Sequence, residues 1–246
     1  MHERRWSRKE TELTIKSDSK RAIKSAIDAA LGARRELERY VFKNPDFRTS
    51  LDPMSPKGRD YPEVVGLMRR ASEIVEIGPF AAVAGTISQM AAEAGERSGA
   101  DAILVDNGGD IAMIGNRGFQ VGIYSGLSSI SGRLVLTPEP EDLPLGICTS
   151  SGTFGHSLSF GGADAVAVIS EESSIADAAA TAVGNEVEGD DVESSVKRGL
   201  DRADDLPEVG GCLIVREDFV GVVGSLPEIS TLPEGKEVLP RELLQT

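Results

Sequence analysis

Aromatic side chains are scarce in this chain: tryptophan, tyrosine and phenylalanine make up 4% of its 246 residues. The core must therefore come from alanine, valine, isoleucine and leucine. Cysteine is nearly missing. Cys148 and Cys212 stand far apart with no CxxC or zinc spacing, and they read as free thiols in a reducing compartment. No stretch approaches 18 uninterrupted apolar residues, which excludes a membrane-spanning helix. No apolar leader follows Met1, because His2-Glu3-Arg4-Arg5 runs straight into charge. A cytoplasmic location is the expectation. The second half has little positive charge: residues 101–246 hold 8 Lys/Arg against 25 Asp/Glu, a net of −17. Such a surface repels nucleic acid. Residues 1–100 carry 18 against 15, and the early run Arg4, Arg5, Arg8, Lys9 reads as a solvated arm.

What is present is a length suited to one large domain or two intimately packed halves. Glycine is frequent, 27 residues, and signals many tight turns and close backbone contacts. Residues 11–15 alternate as a strand. Residues 19–40 read as a long amphipathic helix, with Ile23, Ile27, Ala30, Leu31 and Leu37 near a 3.6 period, ended by Asn44-Pro45. A second helix begins at Pro62, and Gly78-Pro79-Phe80 opens a third over 81–97. From residue 102 the pattern changes to short strands parted by Gly or Ser turns: 102–106, 111–114, 119–124, 133–136, 146–149 and 165–170. Helices follow at 174–187 and 192–203, then a hairpin of 212–215 with 220–223. The order predicts an α+β fold with a largely antiparallel sheet and packed helices, not a doubly wound parallel one. A single domain over 1–225 with a surface tail over 226–246 is expected.

Three segments carry candidate chemistry. In Asp106-Asn107-Gly108-Gly109-Asp110 one strand ends and the next begins at once. It is either a plain hairpin turn or a turn whose glycines let backbone amides reach a phosphate or a flat ring, with Asp106, Asn107 or Asp110 adding polar contacts. In Thr149-Ser150-Ser151-Gly152-Thr153-Phe154-Gly155-His156 the hydroxyls and glycines suit an anion-binding nest. His156 is either a general base or a hydrogen-bonded structural histidine. A hydrolase built on Cys148 or Ser150 with His156 is also open, although no G-x-S-x-G elbow is present and Cys148 sits in an apolar strand.

In Ala176-Asp177-Ala178-Ala179-Ala180-Thr181, Asp177 and Thr181 lie one helical turn apart, so two hard oxygen donors reach one cation, and the alanines admit a bulky ligand. The plainer alternative is a small-residue helix packed against the sheet, with Asp177 offsetting its dipole and Ser173 or Ser174 as cap. A backbone carbonyl from the Gly78 to Gly85 segment would supply a third protein ligand. Mg²⁺ accepts so few protein ligands because it keeps waters and binds substrate phosphates. The small residues at the start of the third helix also favour an anion at its free N–H groups.

Taken in order, these segments resemble those of ApbE-type FAD:protein FMN transferases: the Gly-Gly-Asp segment, the Thr-Ser-Gly turn and the Ala-Asp-x-x-x-Thr metal helix. Gly78-Pro79-Phe80-Ala81-Ala82-Val83-Ala84-Gly85 and the run over 149–185 resemble more closely an uncharacterised sister family of conserved ApbE-like proteins. That likeness covers most of residues 10–225. It implies FAD or another nucleotide bound with Mg²⁺, transfer of FMN to a hydroxyl of an acceptor protein with release of AMP, or cleavage of a phosphoanhydride. It places Asp177, Thr181 and the Val83 carbonyl on the metal. Gly78, Gly85, Gly108, Gly109, Asp110, Thr149, Ser150, Ser151 and Gly152 would line the nucleotide, with His156 as base. Two departures stand out. Val83-Ala84-Gly85 occupies the place of the transferases' Ala-Lys-Gly, and His156-Ser157-Leu158-Ser159-Phe160 that of a His-Ile-Ile-Asp-Pro string. A binding protein that has lost transfer is therefore the alternative. A homodimer is expected for a soluble domain of this kind.

Overall fold

The computed structural model describes residues 1–9, 11–54, 60–126, 128, 130–152 and 161–233. Strands β1 (His2–Arg8) and β2 (Thr11–Ser17) form the first hairpin. The basic run expected as a loose arm is thus a strand, held by a full ladder to β2 though it stays largely exposed. Helix α1 (Lys20–Lys43) follows, capped by Ser19, whose side chain accepts the Ala22 N–H. It buries Ala22, Ile23, Ala26, Ala30, Ala33 and Leu37 on one stripe and stops at Asn44, before Pro45. Then come a single turn, α2 (Asp46–Thr49), and helix α3 (Glu63–Val75), which ends with Glu76 in the left-handed region. A 3₁₀ turn, Pro79–Ala82, leads into α4 (Val83–Arg97).

Strands β3 (Ala102–Asn107), β4 (Asp110–Gly115), β5 (Val121–Ile123), β6 (Leu134–Thr137), β7 (Leu145–Ser150) and β8 (Ala165–Ser170) come next, then helices α5 (Ser173–Glu186) and α6 (Val192–Asp204). The strands β9 (Gly211–Arg216), β10 (Phe219–Gly224) and β11 (Glu228–Thr231) complete the described chain. Eight strands form one antiparallel sheet in the order β1-β2-β3-β4-β7-β8-β9-β10, and β11-β6-β5 form a second. Part of the expected surface tail is therefore a strand, because Glu228 to Thr231 pair with β6.

The two sheets and the helices make three layers, α–β–β. Side chains alternate along each strand, so the large sheet buries one face under the helices and the other under the small sheet. Cys148, Val166, Val168, Cys212 and Ile214 meet α3, α5 and α6. Leu13, Ile15, Ile103, Val105 and Ala112 meet α1 and α4. Ile111, Met113, Ile147, Ala167, Ile169 and Leu213 face Val121, Ile123, Leu134 and Leu136 of the small sheet. Strand β8, covered on both faces, is buried at every position.

Helix α5 is the keystone of the helical layer. It is buried along nearly its whole length, from Ser173 to Gly184 apart from Thr181. Its alanines permit this, since small side chains let the sheet, α3, α4 and α6 approach from all sides. Gly146 of β7 shows how close the approach is: a Cβ there would lie 2.5 Å from the Ser173 Cα.

Candidate metal and nucleotide site

The Gly108-Gly109 turn joins β3 to β4 with both glycines at positive φ, 70° and 101°, a region strained for any residue with a Cβ. The Asp106 carboxylate accepts the Gly109 N–H at 2.9 Å, and the Thr149 hydroxyl donates to the Gly109 carbonyl at 3.2 Å. This ties the turn to β7. A side chain on Gly109 would strike the Thr149 hydroxyl, whereas one on Gly108 would meet open space.

Asp110 opens β4 on the same face as Ala112, beneath the helices, and Cys148 sits across from it in the β4–β7 register. Asp110 is 2% exposed, and its Oδ1 has no hydrogen-bond partner among the described residues. The Ser88 hydroxyl of α4 donates to the Asp110 backbone carbonyl at 2.7 Å.

Asp177 descends from α5 onto the start of α4. Its Oδ2 accepts the Gly85 N–H at 2.8 Å, while the Ser173 hydroxyl donates to the Gly85 carbonyl at 2.9 Å. Only glycine fits at position 85, because a Cβ would lie 2.1 Å from the Ser173 carbonyl oxygen and 2.7 Å from the Asp177 Cβ. Asn107, at the end of β3, donates from Nδ2 to the Ala84 carbonyl at 3.3 Å. The first turn of α4 is therefore bound both to the sheet and to α5.

The electrostatics follow from burial. Asp177 is pushed up from the ordinary 3.8 to about 7 by loss of water, against the opposing pull of the Gly85 and Ala84 N–H groups. Burial also drives Asp110 well above the usual carboxylate range, and negative charge on Asp177 and Asp106 drives it further. Among the described residues no cationic side chain draws either one down. Cys148 is raised by burial and then by these same two carboxylates, and its thiol donates to the Ser173 carbonyl at 3.2 Å. A thiolate is thus disfavoured there. Both cysteines are buried and free.

A family model described as AbpE bacteria matches residues 2–215. The chain belongs to this family. A UPF0280 protein of Methanopyrus kandleri is 45% identical over 230 residues, covering 92% of each chain. Another, of Methanocaldococcus jannaschii, is 42% identical over 223 residues and 90% of each. Among solved structures, the apo flavinyl transferase ApbE of Pseudomonas stutzeri matches with a TM-score of 0.54 at 13% identity, over 92% of this chain and 94% of that one. The ApbE protein of Thermotoga maritima matches with a TM-score of 0.54 at 13% identity, over 94% and 96%. At that identity the likeness is one of fold. The resemblance read from the motifs and the expected α+β class both hold.

Within this AbpE-family chain the fold brings some candidate residues together and leaves others apart. Gly85 and Asp177 are hydrogen-bonded, Asp110 feels the charge of Asp177, and Gly109 is tied to Thr149. Thr181 lies one turn beyond Asp177 and is half-buried, as is Val83, the first residue of α4. Ser150 shares the helix-side face with Cys148, and its buried hydroxyl has no partner among the described residues. Ser151 is half-buried just past β7. Gly152 donates its N–H to the Ala163 carbonyl at 3.0 Å, and a Cβ there would strike the Gly161 carbonyl. Gly78 packs on Ser50 and Leu51 at the α3–α4 corner. His156 lies outside the described residues.

Ser88 escaped the sequence reading, and Ser173, expected as a helix cap, is instead the first residue of α5, after Glu172 at the cap, with its hydroxyl donating to the Gly85 carbonyl. Ser88 is the one serine of α4, and Ser173 stands beside Ser174 at the start of α5; neither carries a local mark of its partner. Gly146 was the legible clue to Ser173, since a glycine inside a strand marks a close backbone approach.

Proposed function

We propose that the chain binds a flavin or adenine nucleotide together with Mg²⁺ and acts on its phosphoanhydride, by passing FMN from FAD to a protein hydroxyl or by cleaving the anhydride. The observation that carries this reading is the pair of buried carboxylates, Asp110 and Asp177, each raised and neither offset by a cationic side chain among the described residues. Burying such groups without a counter-charge is costly, and the Asp110 Oδ1, which has no hydrogen-bond partner among the described residues, is a hard oxygen donor. The set fits Mg²⁺, which takes one or two carboxylates and fills its octahedron with water and phosphate.

In this reading Asp177 and Thr181, with the Val83 carbonyl, hold the ion, and Asp110 stands beside it. When bound, Mg²⁺ withdraws charge from the pyrophosphate oxygens. Gly108 borders open space, so a planar or phosphate group has access to the turn from that side. The cleft at the other end of β4, about 280 Å³, is rimmed by Glu93, Glu96, Glu171 and Glu172. Such a rim repels phosphate, which favours the Gly108-Gly109 end over this cleft for an anionic ligand. Ser150 offers on the same face a hydroxyl with no partner among the described residues.

A second reading, nucleotide binding without transfer, draws on one feature. Ala84 stands where the transferases carry lysine, and the N–H groups at the start of α4 already receive Asp177. Titration of FAD, FMN, ADP and ATP with and without Mg²⁺, on the wild type and on Asp177→Ala, tests the site. Metal-dependent binding that Asp177→Ala removes supports it, and no binding at all, or binding indifferent to Asp177, overturns it. AMP released from FAD favours action on the anhydride, with FMN bound to an acceptor peptide marking transfer and free FMN marking cleavage, and binding without AMP favours the second reading.

A further inference from the structure

Large apolar side chains stand exposed at few places among the described residues. Met1, Phe42 and Leu51 are isolated, whereas Phe219, Val220, Val222 and Ile229 gather on β10 and β11. Strand β10 pairs with β9 on one side and ends the large sheet on the other. It reads Phe219-Val220-Gly221-Val222-Val223-Gly224, with no charge and no proline. The opposite edge, β1, carries Glu3, Arg4, Arg5 and Arg8. Charged side chains are a common guard against edge-to-edge pairing. One edge of this sheet is guarded and the other is bare.

The exposed valines also mark a gap in the core. A Cβ on Gly221 would meet Val196 and Leu200 of α6, so Phe219, Gly221 and Val223 face the helices. Val220 and Val222 face the small-sheet side, yet they are 41% and 51% exposed. Ile229 pairs with Leu136, shares its inward face, and is 41% exposed. Val220 and Val222 leave the β10 edge of the large sheet as an open apolar margin, as Ile229 does the β11 edge of the small sheet.

We propose that a second copy of this chain closes that margin, with β10 pairing antiparallel to β10 of the second copy about a two-fold axis normal to the sheet. Such an axis keeps the helices of both copies on one side, so paired residues must share a face. A register centred on Gly221 meets this condition. Phe219 then lies opposite Val223, and Val220 opposite Val222. Asp218 and Glu217 fall opposite Gly224 and Ser225, so no like charges meet. A parallel partner would instead align Glu217 and Asp218 with their own copies, which is unfavourable. Joining β1 to β10 would build an open head-to-tail array, whereas the isologous contact closes as a dimer.

Sedimentation equilibrium of the full chain tests this. The wild type is expected to be a dimer, and Val222→Lys to weaken self-association by about tenfold or more while the far-ultraviolet circular dichroism is unchanged. Val222→Thr keeps the branched β-carbon without charge and is expected to stay dimeric, which separates loss of pairing from loss of folding. Arg5→Glu on β1 and removal of residues 234–246 are expected to leave the dimer intact. A wild type that stays monomeric at every concentration overturns the proposal, as does a Val222→Lys protein that dimerises as tightly as the wild type. Loss of the dimer on Arg5→Glu would move the contact to β1, and a dimer gained only on removing 234–246 would make that segment the occupant of the edge; either result overturns the assignment.

Discussion

Asp177 and Gly85, 92 positions apart in sequence, are joined by a hydrogen bond of 2.8 Å that carries the carboxylate of α5 onto the N-terminus of α4. The anion that the start of α4 receives is thus a side chain of the protein itself. A helix N-terminus stabilises a negative charge, yet burial outweighs that pull and the carboxyl titrates near 7. This balance makes Asp177 a joint of the helical layer and a candidate cation ligand at once, and substitutions can separate the two roles.

Asp177→Asn keeps an oxygen for the Gly85 N–H and removes the charge. It is expected to fold and melt close to the wild type in the absence of metal, and to lose Mg²⁺-dependent nucleotide binding in calorimetric titration. Asp177→Ala loses the hydrogen bond as well, and an added loss of stability of about 0.5–2 kcal/mol is expected from the broken cap. Equal melting of the two variants would argue against the capping role.

Gly85→Ala tests the close approach itself. The new Cβ must displace the Ser173 backbone or the Asp177 side chain, and such overpacking costs about 1–3 kcal/mol. Chemical denaturation is expected to show that loss with no change in the slope of the transition.

The pH dependence has a definite sign. Between the unfolded value of 3.8 and the folded value of about 7, the folded chain holds a proton on Asp177 that the unfolded chain has released. Metal-free stability should therefore be full below about pH 4 as far as this group is concerned, and should fall as pH rises to about 7. The raised carboxyl of Asp110 adds a loss in the same direction. A bound cation reverses this by favouring the ionised forms. Mg²⁺ should therefore raise the melting temperature more at about pH 8 than at about pH 5. An equal rise at both values would mean that these carboxylates do not hold the ion.

The cysteines offer a check on the buried centre. Cys148 is raised by burial and by its carboxylate neighbours, and Cys212 is pushed up to about 12 by burial. Neither thiol should react with a thiol reagent in the native protein at neutral pH, and both should react on unfolding. A fast native reaction traced to Cys148 would return it to consideration as a nucleophile.

Much of the fold was legible in sequence because its signals are local. Ser19 and Asn44-Pro45 bracket α1, the apolar stripe of α1 has the helical period, and Glu217-Asp218 separate the two strands of the final hairpin. β1 and β11 were missed because neither has the apolar alternation of a half-buried strand: one is largely charged, and the other is exposed throughout. Their pairing is decided by neighbours, β2 and β6, and not by their own side chains. The candidate residues themselves stood out as motifs, since small and polar residues clustered in a fixed order are visible in any reading.

By itself, then, the sequence determined most of the element types, the antiparallel class and the family likeness, because periodicity, capping and turn chemistry act over a few residues. Tertiary structure alone decided which motif residues meet. Asp110 on β4 and Asp177 on α5 are 67 positions apart in sequence, and both are buried in one region only because glycine at 85 and 146 lets α4, α5 and the sheet close on each other. The perturbed acidity of both carboxyls follows from that closure, since removal of water is a property of the packed layers and leaves no mark on the local sequence.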